Sequence, residues 1–206
     1  MLRIWGRLTS INVQKVVWCA DESGVAFERI DVGGTFGGLD TPQFLALNPN
    51  RKIPAIEDGD VVLWESNVIV RYLAARHAAG TLYPGSPAER GRVDQWMDWQ
   101  QTELGRAMTD AFMQLVRTPE PERDMRRVEA SVRATEPMLA ILDHHLAARA
   151  FVAGDRFTMG DIPVGLQVHR WLGLPLERTP RPHVEAWYAR LRQRAGAQRV
   201  LSLPVR

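Results

Sequence analysis

The residues best suited to chemistry in this 206-residue chain lie between Asn48 and Ser66. The stretch reads Asn-Pro-Asn-Arg-Lys-Ile-Pro-Ala-Ile-Glu-Asp-Gly-Asp-Val-Val-Leu-Trp-Glu-Ser. As local structure it is a loop ending at Lys52, a short strand beginning at Ala55, a turn at Asp58-Gly59-Asp60 and a returning strand at Val61 to Trp64, hence a hairpin. Proline donates no ladder hydrogen bond, so Pro54 belongs at a strand's first residue or on its edge. A cis Ile53-Pro54 bond would leave the Ile53 N–H and C=O free to bond a ligand backbone, as a sheet edge does. Cis is the minority form, and the sequence by itself favours a trans proline at the strand start. After the hairpin, Glu65-Ser66-Asn67 meets a helical pattern. A helix opened there offers free N–H groups, a hydroxyl and a positive dipole end, which together suit a carboxylate. Ser66 as a plain helix cap is the competing reading of the same residues.

Composition bounds what such a site serves. With 45% hydrophobic residues the chain can bury a real core in one large or two small domains. Cys19 is the single cysteine, so no disulfide forms within the chain and a reduced, cytoplasmic setting is expected. Met1 to Arg7 lacks the apolar run of a signal peptide, and no apolar stretch is long enough to span a membrane. The net charge of +2 comes from 26 basic and 24 acidic residues with signs interspersed, which does not imply a nucleic-acid partner. The more basic final segment, with Arg190, Arg192, Arg194, Arg199 and Arg206, reads as a solvated helix face. All but two of the basic residues are arginine, and both exceptions, Lys15 and Lys52, fall near the proposed site.

The elements that must position these residues follow in order. Leu2 to Gly6 alternates as a strand, and Arg7 to Asn12 is a polar turn. Val13, Val16, Val17 and Ala20 then recur at helical spacing until Ser23-Gly24. Phe27 to Val32 is a second strand, and Gly33 to Gly38 a glycine loop without the Walker spacing. Thr41 caps a short helix to Leu47, the hairpin follows, and Ser66 to His77 carries an apolar stripe, completing βαβαββα. Beyond a break at Ala78 to Pro84 only helices are visible. Ser86-Pro87-Ala88-Glu89 is a capping box opening a helix towards Leu115, with Val93, Trp96, Met97, Gln100, Leu104, Met108 and Phe112 on one face. Met125 to Leu146 is a second long helix with a kink expected at Pro137. Thr158-Met159-Gly160-Asp161 reads as another capping box, with Asp161 reaching back to Thr158 rather than acting as a catalytic acid, and Phe157 stapled to Ile162. That helix runs to Trp171. Pro182 to Arg194 is the last helix, and Leu201 to Arg206 a tail.

This order, together with Lys52-Ile53-Pro54-Ala55, Glu65-Ser66 at the third helix and the Thr158/Asp161 box, resembles the glutathione transferase superfamily over nearly the whole chain. The resemblance implies an α/β, thioredoxin-like N-terminal domain with a mixed sheet at residues 1–79, a linker at 80–86 and an all-α domain at 87–206. It also implies that Ile53-Pro54 is cis. Ile53 would then bond the cysteinyl backbone of glutathione, with Pro54 holding its shape. Ser66 would take the γ-glutamyl carboxylate, Glu65 the ammonium, and Lys52 the glycyl carboxylate. Arg51 stands where many bacterial relatives have glycine.

The thiol end, on the same resemblance, depends on Thr9-Ser10-Ile11-Asn12. Ser10 sits where serine-type relatives similar to the theta class place a catalytic hydroxyl, and Asn12 where the nu class places a thiol-binding asparagine. Thr9 replaces Ser10 if the register slips by one. A cap for the first helix is the competing role of Ser10 or Asn12. Cys19, well inside that helix, reads as a buried structural cysteine. The histidines lack metal-ligand spacing. The resemblance thus implies a homodimeric glutathione transferase that needs no cofactor, with glutathione as co-substrate and a small electrophile entering an apolar pocket; Met108 and Phe112 of the first long helix are the candidates for its wall, with core packing the competing reading of both. Glutathione-dependent peroxide or disulfide reduction, and a non-catalytic binding or regulatory module, are the alternatives.

Overall fold

In the computed structural model, which describes residues 1–206, strand β1 (Leu2–Trp5) occupies the middle of a four-stranded sheet. It pairs in parallel with β2 (Phe27–Ile30) and antiparallel with β3 (Ala55–Asp58), which returns through Gly59 into β4 (Val61–Trp64). The order β2-β1-β3-β4 is a mixed sheet. Helices α1 (Ile11–Glu22), α2 (Pro42–Leu47) and α3 (Ser66–His77) complete the βαβαββα order.

The strand period of two divides the core. Register sets Ile4 opposite Ile56 and Trp5 opposite Ala55. Leu2, Ile4 and Ile56 therefore join the large core with α1 and α3. Trp5 and Ala55 face the other way, into a small cluster with Val32 and with Phe44 and Leu47 of α2. Regular pairing stops at Trp5 and Ile30, short of the expected Gly6 and Val32, although Gly6 N–H still donates to Ile30 O at 2.8 Å and Arg7 N–H to Val32 O at 3.2 Å. The glycine loop closes around a 3-10 turn at Gly34–Phe36. Thr41 caps α2 by accepting the Phe44 N–H.

Helix α4 (Pro87–Trp99) opens with the full capping box: Ser86 Oγ accepts the Glu89 N–H at 3.2 Å, and the Glu89 carboxylate accepts the Ser86 N–H at 3.3 Å. The sequence predicts one regular helix from there to Leu115. Instead the chain passes through a π-helical turn at Gln100–Leu104, short helices α5 (Gly105–Ala107) and α6 (Thr109–Phe112), and a second π turn at Met113–Arg117. A π turn inserts a residue and rephases the helix face. Gly105 permits this packing, since a Cβ there would stand 2.8 Å from Gln100 O.

Helix α7 (Met125–Leu146) continues through Pro137. After α8 (Asp161–Leu172) and α9 (Pro182–Arg192) comes α10 (Ala195–Leu201), a helix the sequence does not predict, since it gives the last helix as ending at Arg194 and a tail from Leu201. Its glycine lowers helix propensity and hides it. That glycine is required by packing: a Cβ on Gly196 would meet Glu22 Cγ of α1 at 2.7 Å.

Asp161 is fully buried and gathers four donors: Val152 N–H and Trp187 Nε1 on one oxygen, Thr158 N–H and Thr158 Oγ1 on the other, at 2.9 to 3.3 Å. The reach-back expected of it is present. The other half of the box is not, because the helix starts at Asp161 itself and the Thr158 hydroxyl donates to the carboxylate instead of capping. The two halves of the chain are tied by Arg71 of α3, which donates to Asp94 and Asp98 of α4 at 2.6 Å each. No helix is long and apolar enough to cross a membrane.

Candidate active site

The first functional segment is built by the turn before α1. Gln14 Nε2 donates to Leu8 O at 3.0 Å and pins that turn. Ser10 is the N-cap residue, extended at φ −84° and ψ 123°, yet its hydroxyl makes no capping hydrogen bond. The capping role considered for Ser10 is therefore overturned. Its hydroxyl has no partner among the hydrogen bonds of the structure, and the open N–H groups of the first turn lie at a helix end where the dipole favours negative charge. Thr9 is exposed just outside the helix.

The second segment is the hairpin entry. Ile53-Pro54 is cis, against the trans form favoured by the residues alone and as the family resemblance implies. Neither the Ile53 N–H nor its C=O takes part in a backbone hydrogen bond. Asn48 Nδ2 donates to Lys52 O at 2.7 Å, while its Oδ1 accepts the Asn50 N–H, so a buried asparagine shapes the loop under Ile53. Lys52 is exposed. Arg51 holds φ +56°, the left-handed conformation that a glycine would adopt freely.

The third segment is the start of α3. Glu65 is its N-cap with φ +71°, a strained conformation for a residue with a Cβ. Ser66 is the first helical residue, and it does not cap the helix. Its hydroxyl instead donates to Asn12 Oδ1 at 3.3 Å, which joins the N-terminal ends of α3 and α1. Asn12 and Ser66 are joined by this bond, Ser10 stands at the head of the same helix as Asn12, and Ile53 enters the hairpin that leads to Glu65; these four residues form the candidate rim.

Behind this rim runs a polar chain that the sequence reading did not assign. Lys15 is buried, and its Nζ donates to Gln100 Oε1 at 2.9 Å. Gln100 Nε2 donates to Gln167 Oε1 at 3.3 Å, and Gln167 Nε2 to Met108 Sδ at 3.3 Å. Burial, then the charge of Arg170, pushes the Lys15 ammonium down to about 7, with Glu65 opposing. The available signal was polar residues inside apolar helix faces. Met108 is 1% exposed and belongs to the core; Phe112 is buried under Arg170 and Arg117. Cys19 is buried with its Sγ donating to Val70 O, and burial pushes its thiol up to about 12, which removes it as a nucleophile.

A mixed thioredoxin-like sheet domain with an open cis-proline edge, two helix ends converging beside it and a helical domain behind defines the class as a two-domain, thioredoxin-like protein. The glutathione S-transferase N-terminal domain pattern matches residues 1–75 and the C-terminal domain pattern residues 106–195. The chain is 39% identical over 207 residues to glutathione S-transferase GstB of Escherichia coli K12, with both chains covered completely. It is 32% identical to glutathione S-transferase 3 of Zea mays, covering 98% of this chain and 93% of that one. A solved theta class glutathione S-transferase from Xanthomonas axonopodis pv. citri, with glutathione bound, superposes with a TM-score of 0.96 at 49% identity, covering 100% of this chain and 99% of that one. This chain belongs to the glutathione S-transferase family of enzymes.

Proposed function

We propose that the protein binds glutathione along the rim from Lys52 to Ser10 and directs its thiolate at a small electrophile. The cysteinyl backbone bonds Ile53 beside Pro54. The γ-glutamyl carboxylate takes Ser66 and the open end of α3, its ammonium lies beside Glu65, and Lys52 pairs with the glycyl carboxylate. A free thiol has pKa about 8.5, so only a few per cent is thiolate at neutral pH. The Ser10 hydroxyl and the end of α1 lower that value by donating to the anion. Asn12 steadies Ser66, and Thr9 flanks the thiol from outside. Phe112, backed by Met108, borders the electrophile. The glutathione held by the Xanthomonas relative supports the peptide assignment.

The observation that carries this reading is that neither Ser10 nor Ser66 spends its hydroxyl on capping its own helix. Calorimetric titration with glutathione, on the native chain and on Ser66→Ala, tests it. Saturable binding weakened by on the order of 1.5 to 3 kcal/mol in the variant is expected, the worth of a hydrogen bond to a charged group. No binding at millimolar glutathione, or an unchanged affinity in the variant, removes the site. A homodimer joins the proposal, supported by Val62 and Trp64 of β4 and Val68 of α3, which expose apolar side chains; sedimentation at monomer mass counts against it.

A further inference from the structure

Lys15 is the one basic residue of the chain that the fold buries, at 3% exposure, and the binding mode above gives it no part. It belongs to no ion pair of the structure. Its Nζ donates to the neutral amide of Gln100 at 2.9 Å, and Gln100 is held in turn by donating to Gln167 of α8. The π turn makes room for that amide: a Cβ on Gly105 would stand 2.8 Å from Gln100 O and 3.2 Å from its Nε2. The charged groups that face Lys15 are Arg170 of α8, which opposes its ammonium, and Glu65 at the head of α3, which favours it. Burial of an ammonium costs free energy that an apolar side chain at the same position would not. Within α1, Lys15 stands three residues after Asn12 and four after Ile11, on one face of the helix with both. Helical side chains lean towards the N-terminus, so this long one carries its charge back to the open N–H groups of the first turn. Ser10, the residue proposed to receive the thiol, is at that same end, about 7.5 Å along the axis from Lys15.

We infer, resting on the glutathione reading above, that Lys15 is a positioning residue that acts through its charge, a buried ammonium that favours the thiolate of bound glutathione at the head of α1. A charge away from water is little screened, so it acts across a separation at which an exposed lysine would not. The coupling is reciprocal: the ammonium stabilises the thiolate as much as the thiolate stabilises the ammonium. Before glutathione arrives, burial and Arg170 hold Lys15 near its own midpoint of about 7, and the anion draws it to full protonation from solvent. The glutathione thiol gives its proton to solvent and keeps the bonding pair on sulfur. That pair then forms the carbon–sulfur bond, and the electrophile's leaving group departs with the pair of the bond that breaks.

Lys15 and Lys52 are the only lysines, so an NMR titration of the lysine ε-carbon signals follows Lys15 in the native enzyme. With glutathione bound, Lys15 should titrate about one unit higher than with S-methylglutathione, which carries the same peptide and no thiol to ionise. Equal values in the two complexes overturn the coupling. Thiolate absorbance against pH reads the same coupling from the glutathione side. Lys15→Gln keeps a donor for Gln100 and loses the charge; it should raise the pKa of the bound thiol by about one unit, up to a tenfold loss of thiolate, with glutathione affinity nearly intact. Lys15→Arg keeps the charge and should restore most of the native value. A thiol pKa unchanged in Lys15→Gln, or raised equally in Lys15→Arg, overturns the inference. So does a difference between native and Lys15→Gln that vanishes in molar salt, since that marks an exposed charge. Should either variant fail to fold, the NMR comparison on the native enzyme decides. Absence of glutathione binding by the native chain in calorimetry instead removes the glutathione reading first and this inference with it.

Discussion

Ser66 Oγ stands 3.3 Å from Asn12 Oδ1, so the first residue of α3 and the second residue of α1 are held by one hydrogen bond. They are 54 residues apart in the chain, and under the proposed binding mode the bond fixes the distance between the carboxylate and thiol ends of glutathione. A ligand that spans both ends meets a spacing already set, which lowers the ordering cost of binding. Asn12 is spent on Ser66, and Ser10 keeps a free hydroxyl at the helix end.

This division of labour predicts different phenotypes. Ser10→Ala should raise the pKa of bound glutathione, read by thiolate absorbance against pH, with affinity nearly intact. Asn12→Ala should chiefly weaken glutathione binding, because Ser66 loses its only side-chain partner. If Asn12→Ala raises the thiol pKa and Ser10→Ala does not, the assignment of Ser10 is wrong.

Arg51 carries a backbone suited to glycine. A non-glycine residue in the left-handed region costs about 1 to 2 kcal/mol, and glycine returns part of that gain as extra chain entropy, about 0.5 to 1 kcal/mol. Arg51→Gly should therefore stabilise the fold by roughly 0.5 to 1 kcal/mol, seen as a higher urea midpoint at an unchanged m value. Arg51 is exposed at φ +56°, so little packing is lost with its side chain. A lower midpoint would reveal a contact worth more than the backbone strain.

Asp161 offers a pH test. Burial pushes its carboxyl up to about 6, against the pull of its donors from Val152, Thr158 and Trp187. The folded state therefore holds this proton more tightly than the unfolded chain. Its contribution to stability is fully present below about pH 4 and is lost as pH rises to about 6, by roughly 3 kcal/mol at 1.36 kcal/mol per unit. Asp161→Asn cannot titrate, so the stability difference between native and variant should shrink across that window and stay flat above it. A difference independent of pH would refute the shift. Asp161→Ala strands four donors on Val152, Thr158 and Trp187 and should cost several kcal/mol at any pH, at about 1 to 3 for each.

How far the sequence carries follows from what decides each feature. Element order was legible because periodicity, caps and turn residues are local: Ser86 with Glu89, Thr41 with Phe44, and the strand alternation of Leu2 and Ile4 all act within a few residues. Helix α10 was hidden because Gly196 is there for contact with Glu22, far away in the chain. The two π turns were hidden for the same kind of reason, since the face they rephase is defined by α8 and α7. At the site, the residue types at 10, 53, 65 and 66 were readable, but what their side chains bond was not. The cis bond is a local minority form that only family resemblance favoured.

Lys15 gives the last prediction, and its sign is opposite to that of Asp161. Its ammonium is pushed down to about 7 by burial and then by Arg170, so the folded state binds this proton less tightly than the unfolded chain, whose lysine titrates near 10.5. Folding is therefore penalised while the group is charged, and stability from Lys15 should rise as pH climbs from about 7 towards 10. Lys15→Met keeps the volume and removes the titration, so the native protein should gain on the variant across that range. The variant also leaves Gln100 Oε1 without its donor. Gln100 connects through Gln167 to Met108 behind Phe112, so the same substitution should alter KM for the electrophile more than for glutathione. A variant with an unchanged pH profile of stability would show that Lys15 is solvated rather than buried and stays an ordinary ammonium at neutral pH.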